Sequence, residues 1–323
     1  MTMSPTSDPS RSRGLSSGIF SVLIILSLSS ATRVQAAGDC DRACLYHFLD
    51  IYLEALVARD PGRLPLADNS RFTENNVELE IGDGLWGTLT ALGGYDLRFA
   101  DPVTGEVGYF GTVTETMESS AFTLRLKVTG QRIAEVESLV VRQVDSGQKF
   151  EPQKFEHKPV LNEVIPPKAR LPRDRLIELA NGYFDTLQLN DGTLHTAFHP
   201  DCNRVENGVQ GTNNPEFALV PVALLGCEAQ FRLGYYRYDD RLRARRFPLV
   251  DEERGLVLAS GFIDHEGRLG AYTLTDGQVV QSPIRRPHSY YLLELFKIRD
   301  GAIEQVEANF ITVPYRMPSP WEP

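Results

Sequence analysis

One succession of segments occurs twice in this chain, and no other feature restricts its fold as much. Residues 41–60 (DRACLYHFLDIYLEALVARD) set Leu45, Phe48, Leu49, Tyr52, Leu53 and Leu56 on one stripe at helical spacing. Residues 173–190 (RDRLIELANGYFDTLQLN) repeat the stripe with Leu176, Leu179, Ala180, Tyr183, Phe184 and Leu187. Both predicted helices stop at an Asp with Pro or Gly after it. Matching hexapeptides follow: Thr73-Glu-Asn-Asn-Val-Glu78 and Val205-Glu-Asn-Gly-Val-Gln210. Each half then closes on two strands, FTLRLKV with 133–142 and YYLLELFKI with 302–311. Asp300-Gly301 between the second pair is a hairpin turn signal. Sliding one half onto the other aligns Ile133, Val136 and Glu137 with Ile303, Val306 and Glu307. This pattern predicts a duplicated α+β domain, each copy packing helices on a curved antiparallel sheet.

Residues 1–37 stand apart from both copies. Arg11 and Arg13 precede an apolar run from Ile19 to Leu28, and Val34-Gln-Ala-Ala37 reads as a signal-peptidase site. The run is too short for a spanning helix, which needs about 20 residues. The expectation is an exported protein, periplasmic or secreted, with no membrane attachment after processing. The whole chain carries a net charge of −10, and losing Arg11, Arg13, Arg33 and Asp8 makes it more negative. Such a chain has no general attraction to nucleic acid or anionic lipid.

The four cysteines all follow the leader, and an even count in an exported chain favours disulfides. Cys202–Cys227 stapling a loop rich in Asn, Gly and Pro is the preferred pairing, with Cys40–Cys44 the remainder; three connectivities are open. Five prolines between 144 and 172 favour an extended linker, and the tail 316–323 reads the same way. The division is thus a signal peptide (1–37), a first domain (38–143), a linker (144–172), a second domain (173–315) and a tail (316–323). Residues 208–248 look like an insertion confined to the second half. Its basic run, Arg241, Arg243, Arg245 and Arg246, reads as a solvated hairpin or as a rim attracting anions.

An amphipathic helix, a short loop and a strongly curved sheet resemble the nuclear transport factor 2-like superfamily. That superfamily includes SnoaL-like polyketide cyclases, ketosteroid isomerase and scytalone dehydratase. The phrase Arg71-Phe-Thr-Glu-Asn-Asn-Val-Glu-Leu with Gly82-Asp-Gly-Leu-Trp-Gly87 is similar to one in secreted bacterial and fungal proteins with tandem copies of this fold. The second half keeps Glu206-Asn207-Gly208-Val209 but lacks the Gly-Leu-Trp portion, so the two pockets are not expected to be equivalent. The resemblance implies a cone enclosing an apolar cavity. It implies no reaction, because function resides in the site rather than the fold.

A carboxylate or histidine inside such a cavity can act as general acid or base. His265, at the end of a predicted strand, and His288, just before Tyr290-Tyr291, are the leading pair; side by side they would serve as acid and base. Asp264 points to the opposite face from His265 unless the strand bulges there. Glu206 and Asn207 recur as Glu74 and Asn75, either as site residues or as turn-forming groups. Glu137 and Glu307 also recur, as exposed ladder residues or functional ones. Tyr183, with Tyr46, Tyr52, Tyr235, Tyr236, Tyr272, Tyr290 and Tyr291, offers apolar walls with hydroxyl donors. His195 and His199 are spaced for a metal only if they lie on a helix. His47 on the first helix is expected to be partly buried. No phosphate-binding glycine loop, nucleophile elbow or zinc signature is present.

The leading functional expectation is a cofactor-independent lyase or isomerase acting on a small aromatic molecule through His265, His288, Glu206, Asn207 and Tyr183. Formaldehyde-releasing cleavage or dehydration of lignin-derived aromatics is the finer form. The other reading is an exported, non-catalytic binding protein for an apolar ligand, which would also allow a homodimer through an open sheet face.

Overall fold

The computed structural model describes residues 40–145, 150–217 and 221–322; the expected leader lies outside them. The first half runs α1 (Arg42–Ala58), β1 (Leu66–Glu74), β2 (Val77–Glu78), α2 (Leu85–Thr88), β3 (Leu89–Asp101), β4 (Glu106–Glu115), β5 (Glu118–Thr129) and β6 (Arg132–Val141). After α3 (Pro159–Asn162) the second half repeats the order: α4 (Arg173–Leu189), β7 (Phe198–Glu206), β8 (Val209–Gln210), α5 (Cys227–Leu233), β9 (Arg241–Asp251) and β10 (Leu256–His265). A small hairpin, β11 (Ala271–Thr273) and β12 (Val279–Gln281), precedes β13 (His288–Arg299) and β14 (Ala302–Val313).

The two six-stranded sheets have the same topology, β2-β1-β6-β5-β4-β3 and β8-β7-β14-β13-β10-β9. The fold is α+β, two cones of helix packed on curved sheet. Each sheet departs from the all-antiparallel expectation at one place. There β1 runs parallel to β6 and β7 parallel to β14, because the intervening strands carry the chain across the sheet before it returns. Register shifts between β3 and β4 and between β9 and β10 supply curvature.

The stripes read from the sequence face these sheets. Leu45, Leu49, Tyr52 and Leu56 of α1 are buried in the first cone, and Leu176, Ala180, Tyr183 and Leu187 of α4 in the second. Asp41 caps α1 by accepting a hydrogen bond from the Cys44 amide at 2.9 Å. A third core lies between the sheets, built from Leu97, Phe99, Phe110 and Leu139 of one and Leu249, Leu258, Tyr291, Leu293 and Leu295 of the other. Along β13, Leu292 and Phe296 therefore face the cone while Tyr291, Leu293 and Leu295 face the opposite sheet. Burial on both faces explains the consecutive apolar residues Tyr291, Leu292 and Leu293 of β13. It also means that the sheet face expected to be open to a second copy is covered within the chain.

Polar contacts across this interface follow a two-fold logic. Arg42, opening α1, binds Asp251 at 2.6 Å, and Arg173, opening α4, binds Asp101 at 2.6 Å. Asp101 also accepts from the Val250 amide and Asp251 from the Ala100 amide. The recurring glutamates are both buried, and Glu307 sits at the edge of a second pocket beside Phe155 and Lys158. Glu137 meets Arg125 at 2.7 Å, the Tyr291 hydroxyl at 2.7 Å and Arg246. Burial works to raise its carboxyl, but Arg125 and Arg246 hold it below the usual range. Burial pushes Glu307 up to about 7, opposed by a 2.6 Å hydrogen bond from Tyr95 and, less strongly, by Lys158.

Three stretches differ from expectation. The proline-rich 144–172 stretch packs rather than merely connecting: Leu161 is buried between the sheets and Phe155 stacks on Tyr95 at 5.1 Å. Its backbone at Glu151 sits so close to Gly208 that a Cβ there would lie 2.1 Å from the Glu151 oxygen. The tail also docks. Trp321 donates to Thr73 Oγ1 at 3.2 Å under the guanidinium of Arg125, while Pro320 accepts from Arg71. The supposed insertion is partly shared framework, since β9 pairs with β10 as β3 does with β4. Of its arginines, Arg243 binds Asp264, Arg245 binds Asp185 and Arg246 binds Glu137, which overturns the anion-attracting rim for these three.

Candidate functional site

The second cone holds a partly open cavity of about 120 Å³, and its walls begin with β7. Arg204, where the first half has Phe72, points a buried guanidinium into an aromatic nest, 5.1 Å from the Phe231 ring and 5.0 Å from Tyr236. It donates to Gln230 Oε1 and the Tyr236 hydroxyl, each at 2.9 Å, and to Glu206 Oε1 at 2.6 Å. The Cys202–Cys227 disulfide ties β7 to α5, which carries Gln230 and Phe231. Tyr183, from α4, hydrogen-bonds Glu294 of β13. Burial, partly opposed by Arg204, pushes its phenol far above the usual value.

The opposite wall is histidine. His265 closes β10, buried, with Nε2 2.8 Å from Asp239 Oδ1. At that distance the Asp239 carboxylate is placed to accept a proton from Nε2. Asp264 behaves as strand alternation requires: it turns away from His265 to bind Arg243 and the Ser289 hydroxyl. The β10–β13 register sets His288 directly across from His265, with the rings stacked at 4.7 Å. His288 Nδ1 faces the Arg286 carbonyl at 3.0 Å. Burial holds His288 below its ordinary value; the Arg286 carbonyl works against this and the neighbouring His265 adds to it. Tyr238, Tyr290, Ile263 and Phe310 complete the walls, and Pro283 and Ile284 from the segment after β12 cover them.

The structure therefore brings together His265, Glu206 and Tyr183 around one cavity, with His288 stacked behind His265. Asn207 is not part of that lining. Its side chain accepts from the Phe310 amide at 2.9 Å and donates to the Phe310 carbonyl at 3.0 Å, standing in for a missing strand residue. Asn75 does the same with Val140, so the repetition of Asn in the two hexapeptides marks a shared turn at φ near 50°. His195 and His199 share no helix face, because His199 lies in β7 and His195 in the bend before it. His47 is exposed. Sequence reasoning missed Arg204, Asp239 and Glu294.

The corresponding space in the first cone is occupied differently. Trp86 is buried there with its Nε1 donating to Tyr52, the residue at the position of Tyr183, at 3.2 Å. Glu74, at the position of Glu206, accepts from the Leu85 amide at 2.7 Å. Gly84 passes so close that a Cβ would lie 2.5 Å from the Glu74 carboxylate. The Gly-Leu-Trp phrase thus fills its cone, and its absence from the second half leaves room for the cavity.

Both expected disulfide pairings are present, Cys40–Cys44 and Cys202–Cys227, which points to an oxidising compartment outside the cytoplasm. Among the described residues no helix is long and apolar enough to cross a membrane. A family model described as "Domain of unknown function (DUF8021)" matches residues 169–310, which include every cavity residue named above. Comparison with curated proteins finds no match. Among solved structures, the chain is similar to a protein from Sphaerobacter thermophilus (15% identity, 32% of this chain and 97% of that one, TM-score 0.26). It is also similar to an NTF2-like protein from Cytophaga hutchinsonii (14%, 43% and 98%, 0.24) and to a protein with a cystatin-like fold from Caulobacter vibrioides (16%, 43% and 88%, 0.25).

Proposed function

We propose that the second half is a lyase or isomerase of nuclear transport factor 2-like type, acting on a single-ring aromatic molecule outside the cytoplasm, in the periplasm or after secretion. The observation that carries this reading is the His265–Asp239 pair closing an aromatic cavity whose far wall holds Arg204, Glu206 and Glu294. A non-catalytic ligand trap has no need of a histidine held in one tautomer by a buried carboxylate. Size limits the substrate: an apolar cavity of about 150 Å³ accepts benzene, so 120 Å³ is tight even for one ring, and a substituted ring must extend into the partly open mouth of the cavity.

In the reaction, His265 removes a proton from a substrate hydroxyl or from carbon beside a carbonyl. Asp239 stabilises the imidazolium that forms. In the cleavage form, the alkoxide expels its carbon–carbon bonding pair toward the carbonyl, releasing formaldehyde, and the imidazolium returns the proton to carbon. In the dehydration form, the imidazolium protonates the departing hydroxyl. The test is incubation of the processed chain with single-ring aromatic diols and hydroxyketones, with chelator present, following products and formaldehyde by mass spectrometry. Turnover lost in His265→Ala supports the reading; turnover undiminished in that variant sinks it.

A further inference from the structure

The last residues of the chain lie in a groove along the boundary of the two halves, where side chains rather than a sheet edge hold them. Three carbonyls of the tail are each taken by a side-chain donor. Met317 accepts from Arg243 of β9 at 2.7 Å, Pro318 from Asn76 of the β1–β2 turn at 2.8 Å, and Pro320 from Arg71 of β1 at 2.7 Å. Trp321 anchors the segment. Its Nε1 donates to Thr73 Oγ1, and its ring centroid lies 4.9 Å from the Arg125 guanidinium and 5.4 Å from those of Arg71 and Arg246. Cations against an indole face attract it through the ring quadrupole.

The groove does not need the tail for its shape. Arg125 is held by Glu137 at 2.7 Å and by Glu106 and Glu135 at 2.8 Å each, and Arg246 is held by Glu137 and Ser260. These guanidiniums keep their places whether or not a ring lies against them, which lowers the cost of binding one. The tail is suited to the same end: Pro314, Pro318, Pro320 and Pro323 restrict the free chain, so little freedom is lost on docking. Beyond Trp321 the groove continues as an open pocket along Phe247 and Pro248, so the tail fills only part of it. We infer that this groove is a peptide-binding site for a tryptophan set among prolines, with the chain's own residues 317–322 as a ligand held in cis that the same segment supplied from outside can replace. It recognises backbone carbonyls and one indole ring. None of its residues lines the cavity of the second cone, so its failure would leave the lyase reading untouched.

The test uses the processed full-length chain carrying Trp321→Ala, which empties the place of the ring. A fluorescently labelled peptide, Met-Pro-Ser-Pro-Trp-Glu-Pro, is titrated with it and followed by anisotropy. Saturable binding is expected, and binding to the parent chain weaker by about tenfold or more, because its own tail competes at an effective concentration of about millimolar. A peptide with alanine in place of the tryptophan is expected to bind about tenfold more weakly. Adding Arg71→Ala to Trp321→Ala is expected to weaken binding of the tryptophan peptide by a similar factor. If Trp321→Ala fails to fold, Trp321→Leu takes its place in each measurement. No saturation by about 1 mM peptide, equal binding to parent and variant, equal binding of the two peptides, or undiminished binding after Arg71→Ala overturns the inference.

Discussion

Arg42 at the start of α1 grips Asp251 at the end of β9 with two hydrogen bonds, 2.6 and 2.8 Å, so the first helix of one half holds the sheet of the other. Arg173 and Asp101 make the reciprocal contact. Both aspartates are essentially without solvent contact, and both also accept backbone amides from the opposite half. Breaking such a pair strands a buried charge. Asp251→Ala is expected to lower unfolding free energy by about 3–5 kcal/mol, read from urea denaturation. A loss below about 1 kcal/mol would show that the contact is ornamental.

Glu307 gives a pH-dependent term of known sign. Its folded value is raised to about 7, above an unfolded value near 4.5, so its contribution is fully present below the unfolded value and is lost as pH rises through 7. The gap corresponds to about 3 kcal/mol. Glu307→Gln is expected to unfold at a higher temperature than the parent at pH 8 and at nearly the same temperature at pH 4. Equal effects at both pH values would mean that Glu307 does not titrate in this window.

Asp239→Asn separates orientation from fold at the proposed site. An amide behind the imidazole accepts no Nε2 proton with comparable strength and permits the wrong tautomer. The same change behind the histidine of a serine-protease triad lowers turnover about 10⁴-fold. Turnover here is expected to fall by about three orders of magnitude or more, with thermal unfolding little changed. A drop confined to KM would assign Asp239 to binding alone.

Cys202 and Cys227 are 25 residues apart in sequence. Replacing both with Ala is expected to cost about 3 kcal/mol on the loop-closure estimate. Ligand affinity should fall with stability, because α5 brings Gln230 and Phe231 under Arg204. Affinity unchanged at a temperature where the variant remains folded would uncouple the staple from the cavity.

Trp86→Ala empties the first cone. A buried Trp truncated to Ala costs about 3–5 kcal/mol, and the space left beside Tyr52 should admit benzene or a similar apolar probe, detected as a rise in melting temperature on adding it. If no such rescue occurs, the cone has collapsed around the missing ring.

The helices, the closing hairpins and the duplication were legible because each is a local pattern: stripes at Leu45–Leu56 and Leu176–Leu187, alternation, and Asp300-Gly301. His265 and His288 could be paired in advance because they flank neighbouring strands. Asp239 could not, since it comes from a loop 26 residues before His265 and has no periodicity to mark it. Arg204 was hidden for another reason: an arginine carries no core signal of its own, and only alignment with Phe72 shows that its side chain enters the cone. Glu137 and Glu307 are buried rather than exposed on the sheet, because the surface they occupy exists only once the two sheets meet. Asn207 looked functional by recurrence, and recurrence there reflected a shared backbone requirement.

The back-to-back sheets have a consequence for how the protein responds to dilution. Each half covers an apolar face that a lone copy would have to hide against a separate molecule, and here the partner is tethered through the 144–172 stretch. Association of the faces is unimolecular, so the unfolding midpoint should not drift with protein concentration, as it does for a dimer of separate subunits. A tethered pair is also free of the requirement that both members carry the same sequence. One half can then keep its interior filled by Trp86 and serve as a permanent wall, while the other retains an open interior.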